Sequence, residues 1–254
     1  MPWSACFWSP PRFGWRVEVE ASAAAARRAM RALANPRDAE FLRRYFKTGP
    51  GEYGEGDRFL GIRVPMTRRV ASQFRSMPFA QVLALLQSRW HEERLLALLL
   101  LVNRYERGDD ATRTRVYLAY MANLGRVNNW DLVDLSAPGI VGAYLAKRSR
   151  RVLDALARSH NVWERRIAVL ATFWFIREGE LEPSLRLAAR LFHDPHDLMH
   201  KATGWMLREA AKVDRVATER FLRAHQRAMP RTMLRYAIER FTPAERRRYL
   251  DGTA

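Results

Sequence analysis

Asp134 stands four residues after Trp130 in NWDLVDLSA (129–137), so on a helix the carboxylate and the indole share a face one turn apart. Four other segments align with it: HEERLLALLLL (91–101), WERRIAVLATF (163–173), MHKATGWMLREA (199–210) and TMLRYAIERF (232–241). The alignment puts Arg94, Trp130, Arg166, Lys201 and Arg235 in one column, separated by 36, 36, 35 and 34 residues. One turn further on, the five segments carry Leu98, Asp134, Leu170, Trp205 and Glu239. A carboxylate where two sister segments carry leucine is costly to desolvate unless it is paired or serves chemistry. The chemistry open to it is stabilisation of an oxocarbenium-like sugar cation and positioning of a water, as carboxylates do in glycoside hydrolysis. Two indole faces, Trp130 and Trp205, can hold a cation or polarised C–H groups at about 0.5–2 kcal/mol per contact. The plainer alternatives are a salt bridge from Asp134 to Arg166 or Arg165, and core roles for tryptophans, of which the chain has eight. Asp131 follows the expected N-cap Asn129 and most simply serves first-turn amides and the helix dipole.

Positioning such residues takes helices. From Ala21 onward, Ala-, Leu- and Arg-rich segments of about 10–17 residues alternate with short polar breaks, without period-2 alternation. Helix-start chemistry recurs at Asn35-Pro36, Met77-Pro78, Asn129, Asp194-Pro195 and Thr242-Pro243 with Glu245. A period near 35 residues suits helix-pair repeats of the HEAT, armadillo or TPR kind. The expected fold is therefore all-α, a HEAT-like or armadillo-type α-solenoid whose equivalent helices line a concave face. Four of the five column residues are cations, so that groove is expected to be basic. A row of cations at regular intervals matches a phosphate backbone, whereas a solvated helix face is the bland reading of any charge run. Trp163 and Trp174 fall off the column and are expected in the core.

Composition points the same way. Among 254 residues, 44 Lys+Arg against 27 Asp+Glu give a net charge of +17, which favours a polyanionic partner. With 48% hydrophobic and 28% charged residues the chain is globular rather than disordered. Residues 21–254 are read as one domain and residues 1–20, aromatic and Pro-rich, as a disordered extension. The single cysteine, Cys6, excludes an internal disulfide framework and a Cys-based zinc site. The longest apolar run, 95–102, is too short to span a membrane. A cytoplasmic monomer, associated with the nucleoid when bound to DNA, is the expectation, without membrane or obligate protein partner.

Weaker signals are set aside. Gly49-x-Gly51-x-x-Gly54 matches GxGxxG formally, but no strand precedes it and Glu52, Glu55 and Asp57 would repel a phosphate, so it reads as a flexible inter-helix loop. His193, His196 and His200 have metal-ligand spacing, but Pro195 splits them, and neither a metal nor an organic cofactor is expected. No lysine occupies an apolar setting beside Asp134, so no Schiff-base step is expected.

YFKTGPGEYGEGDRFLGIRVP (45–65), NNWDLVDLSAP (128–138), WERRIAVLATFWFI (163–176) and KATGWMLREAAK (201–212) together resemble the AlkD-type DNA alkylation repair family, from about Ala21 to the C-terminus. The chain has Asp197, Leu198 and Met199 where that family's best-known pattern can carry aromatic residues. The resemblance implies a HEAT-like solenoid holding duplex DNA and a monofunctional glycosylase that releases N3- and N7-alkylated purines. By motif it gives Trp130, Asp134 and Trp205 to the catalytic cleft and Arg166 to the DNA backbone, beside the column cations Arg94, Lys201 and Arg235 and their neighbour Arg165. A non-catalytic solenoid binding damaged or branched DNA is the alternative, and a protein-interaction scaffold a third reading that the charge disfavours.

Overall fold

The computed structural model describes residues 21–254, so the expectations for residues 1–20, including Cys6, lie outside the described residues. The helices run α1 (Ala23–Ala32), α2 (Pro36–Tyr45), α3 (Val64–Gln73), α4 (Phe79–Leu86), α5 (His91–Arg107), α6 (Asp110–Met121), α7 (Trp130–Asp134) and α8 (Ala143–Leu145). They continue with α9 (Arg151–Leu156), α10 (Val162–Arg177), α11 (Glu182–Arg190), α12 (Asp197–Val213), α13 (Arg215–His225), α14 (Arg231–Ala237) and α15 (Pro243–Asp251). Among the described residues the only strand-like feature is an isolated bridge between Arg58 and Trp90. The all-helical expectation holds.

Local chemistry accounts for the helix starts. Asn35 accepts from the amides of Arg37 and Asp38 ahead of Pro36, and Asn161 caps α10 through Trp163. Thr242 and Glu245 form a reciprocal capping box at α15. Asp194-Pro195 does not start a helix as expected: α12 begins two residues later, capped by His196, whose side chain accepts from the Leu198 amide.

α5, α7, α10, α12 and α14 pack against one another in chain order, while α4, α6, α9, α11, α13 and α15 back them. The column residues fall at equivalent depths: Arg94 is the fourth residue of α5, and Arg166, Lys201 and Arg235 are the fifth of α10, α12 and α14. One turn on, Leu98 and Leu170 are fully buried and point into the core. Gly204 allows α12 and α14 to approach closely, since a Cβ there would sit 2.4 Å from the Met233 carbonyl oxygen.

The segment around Asp134 departs from its sisters. Instead of a long helix, α7 ends after five residues and continues through a π-helical turn, Pro138–Gly142, into α8. The cause is Pro138: it lacks an amide donor, and its ring crowds the carbonyl four residues back, which is that of Asp134. The candidate carboxylate thus sits at the last turn of a short helix.

Candidate active site

Asp134 and Arg166 form a bidentate pair, Nε to Oδ1 and Nη2 to Oδ2, both at 2.8 Å. Arg166 also donates from Nη1 to the Leu198 carbonyl at 2.9 Å, so it ties α7 to the first turn of α12. Both side chains are largely withdrawn from solvent, 14% exposed for Asp134 and 6% for Arg166. Burial pushes the Asp134 carboxyl above its ordinary value; the Arg166 charge and hydrogen bonds oppose that, and Asp131 adds a smaller upward push. The guanidinium meets both oxygens in the fork geometry of a charge-assisted bidentate pair.

Trp130 and Trp205 are both half-buried. Trp130 opens α7, stacks on Phe46 (centroids 5.0 Å apart, 15° between planes) and meets the exposed Tyr45 edge-on at 5.9 Å. Trp205 donates its indole N–H to Glu209 at 3.1 Å and lies 6.2 Å from Phe173. Trp163 is buried in the core as expected, while Trp174 is only half-buried.

The cationic column divides. Arg235 is exposed and no ion pair holds it among the described residues. Lys201 is 42% exposed and bonds Asp197 at 2.6 Å, which raises the ammonium and, by the same bond, lowers the carboxyl. Arg94 is buried, not exposed along the row. It is 3% exposed and spends its guanidinium on Asp57 (2.6 Å), Asn128 (3.0 Å) and the Ser88 carbonyl (3.1 Å). Arg165 is likewise committed, to Asp194 at 2.6 Å and to the carbonyls of Ser159 and His160. Its side chain is 11% exposed. Arg166 itself is paired with Asp134, the alternative that sequence reasoning had set beside a backbone contact.

Behind α7 lies a buried network that sequence reasoning missed. His91 sits between two carboxylates, Nδ1 to Asp57 at 3.1 Å and Nε2 to Asp131 at 2.9 Å. Burial alone would lower the imidazolium, but Asp131 and then Asp57 outweigh it and raise His91 to about 9. Asp57 is pushed up by burial and pulled down further, to about 2, by His91, Arg94 and Asn129. Asp131 therefore does accept an amide, that of Leu132 at 2.8 Å, but its larger role is to hold His91. Phe59 stacks on His91 at 4.5 Å and on Phe46 at 5.0 Å, so Trp130, Phe46, Phe59 and His91 form one aromatic pile. The next residue, Glu92, accepts from the amides of Leu60, Gly61 and Ile62 at 2.9–3.1 Å, fastening the segment before α3 onto α5. The signal for this network was the run of His91 and Glu92 at a helix start facing an acid in the Gly-rich loop.

No group of three or more His, Cys, Asp or Glu side chains is disposed to hold a metal among the described residues. His196 caps α12, and burial first, then Arg165 and Arg166, keep it below its ordinary value against the pull of Asp194 and Asp197.

Fold and site together define an all-helical protein in which a guanidinium-bound carboxylate lies on the same layer of helices as two half-exposed indoles. The chain belongs to the DNA alkylation repair enzyme family, whose model matches residues 26–241. Its fold is similar to that of a solved structure described as a predicted DNA alkylation repair enzyme from Enterococcus faecalis. The TM-score is 0.64 at 18% identity, covering 83% of this chain and 97% of that one. None of the curated proteins matches the chain. Membership makes this a DNA repair protein directed at alkylation damage. No helix among the described residues is long and apolar enough to cross a membrane.

Proposed function

We propose that the protein is a monofunctional DNA glycosylase that hydrolyses the N-glycosidic bond of N3- and N7-alkylated purines in duplex DNA, with Asp134 as its catalytic carboxylate. The helix row α5–α7–α10–α12–α14 would act as a HEAT-like solenoid whose inner face receives the duplex. Arg235 and Lys201 supply phosphate contacts there, in a protein of net charge +17. The observation that carries the reading is Asp134 itself: a carboxylate at the position of the buried leucines 98 and 170, largely withdrawn from solvent and oriented by Arg166.

Alkylation leaves the purine cationic, so heterolysis of its C1′–N bond returns the electron pair to the base and needs no acid. The sugar is left as an oxocarbenium ion. A carboxylate beside C1′ stabilises that charge, and a water adds to C1′ as its proton passes to Asp134 or to solvent. A desolvated carboxylate is more effective here than an exposed one, because charge interactions weaken in water. Trp130 and Trp205 would offer π faces to the cationic base or the deoxyribose. Arg166 holds both oxygens of Asp134, so its charge attenuates the stabilisation unless a phosphate draws it away. That pairing also favours the second reading, a DNA-binding solenoid in which Asp134 is only a structural acid.

Base release from methylated duplex DNA separates the two. Asp134→Asn, in a folded protein, should lower excision of 7-methylguanine by at least about tenfold, or roughly 1.4 kcal/mol of barrier. Full activity in a folded variant would leave only the binding reading.

A further inference from the structure

The loop between α2 and α3 carries a tyrosine, Tyr53, against residues of the candidate site. Gly54 accounts for the path of the loop: its amide donates to the Lys47 carbonyl at 2.9 Å. A Cβ at Gly54 would sit 2.3 Å from the Phe46 carbonyl oxygen, so only glycine fits. Glu52 and Glu55 accept from the amides of Gly49 and Gly51 at 2.7 and 2.9 Å, and Asp57 anchors the far end in the His91 network. The loop expected to be flexible is tied at both ends.

Tyr53, at its centre, joins α10 to the start of α12. Its ring meets Trp163 of α10 edge-on at 5.8 Å and His196, the cap of α12, at 6.3 Å. Trp130 on α7 and the Lys201 ammonium both favour the ionised phenolate, against the larger effect of burial. Burial raises the phenol above its ordinary value, which favours the O–H donor form. Among the described residues no acceptor takes that hydroxyl proton, and the ring is half-exposed. A half-exposed phenol held against the start of α12, whose own proton has no protein acceptor, is a donor for an anion.

We infer that Tyr53 is a DNA-positioning residue whose hydroxyl donates to a backbone phosphate oxygen next to the lesion, beside the phosphate held by Lys201. The inference rests on the proposal that this face receives DNA, and it adds a neutral donor to a contact set otherwise made of cations. The contact fixes α10 and the start of α12 relative to the lesion strand, since the same ring meets Trp163 and His196.

The test is binding to a duplex carrying a tetrahydrofuran abasic-site analogue, which has no base to release. Failure of the glycosylase reading would show only in the base-release assay, so the two outcomes stay separate. Tyr53→Phe keeps the ring contacts with Trp163 and His196 and should melt near wild type. It should bind about tenfold more weakly with an unchanged log–log salt slope, because a neutral donor releases no counterion. Lys201→Gln should lower the slope by about one. Neutral methylphosphonate linkages, scanned one position at a time across the lesion flank, then locate the contact. One position should weaken the wild type and have no effect on Tyr53→Phe, while the Lys201 position still matters to it. Wild-type affinity in Tyr53→Phe, a slope reduced by about one in that variant, or a scan in which every position affects both proteins alike would each overturn the inference.

Discussion

Removing Arg166 should cost more than removing the acid it binds, and removing both should restore part of the loss. The pair is bidentate at 2.8 Å on each arm, and its two side chains are 6% and 14% exposed. Arg166→Ala leaves Asp134 desolvated without a partner and frees the Leu198 carbonyl. Breaking such a pair from one side costs about 3–5 kcal/mol, and the residual exposure of Asp134 points to the lower end. In a chain of this size each kcal/mol moves Tm by about 2–4 °C, so the loss should be roughly 6–12 °C. Asp134→Asn keeps one acceptor for the guanidinium and should cost only about 1–2 kcal/mol. In the double variant no unpaired charge remains, so it should be more stable than Arg166→Ala by at least about 1 kcal/mol. Thermal unfolding followed by circular dichroism, with reversibility checked, gives all three values. A double variant no more stable than Arg166→Ala would show that the arginine acts chiefly through Leu198 or the core, and the electrostatic account of Asp134 would fail.

Trp130→Ala and Trp205→Ala should melt within a few degrees of wild type yet lose most excision, whereas Trp163→Ala, deep in the core, should cost about 3–5 kcal/mol; equal Tm losses in all three would return the indoles to a packing role. Arg235→Ala should lower the salt slope of duplex binding by about one, while Arg94→Ala should leave the slope alone and destabilise the fold; a slope change in Arg94→Ala would contradict its burial. His91 is held protonated up to about 9 against an ordinary 6.5, so its contribution to stability is fully present below about pH 6.5 and is lost as pH rises through 9. That contribution is on the order of 3 kcal/mol. His91→Gln should therefore flatten the alkaline decline in Tm, and an identical decline in both proteins would remove the imidazolium from the network.

The helices were legible because their signals are local. Asn35 before Pro36 and the Thr242–Glu245 box act within three residues, and the buried positions of α12 lie on one helix face. The Asp134–Arg166 pairing was legible as an alternative because the column register already placed the two on neighbouring helices. The fate of Arg94 was not, since its partner Asp57 sits in a loop with no periodicity to locate it, 37 residues away. The register gives no sign of the break at Pro138: α7 ends after five residues where α5, α10 and α12 run 16–17, because of one missing amide donor. His91 reads like a first-turn helix residue in the sequence, and only the meeting of α5, α7 and the Gly-rich loop makes it an imidazolium between two acids.

Five residues are too few for a helix to hold itself in water, because the cost of nucleating the first turn is never recovered by propagation. α7 therefore owes its existence to its moorings: the Asn129 cap, the Asp131 bond to His91 and the Asp134 bond to Arg166. Each mooring comes from a different helix or loop, and two of them end on the carboxylates themselves. The amides of 131–135 should thus exchange with solvent as one unit, whose opening breaks both ion pairs together. A lesion-bearing duplex that draws Arg166 to a phosphate would loosen one mooring and leave the other, turning the short helix about its His91 end. Had Pro138 been any helix-forming residue, the carboxylate would sit mid-helix on a rigid rod, without that pivot.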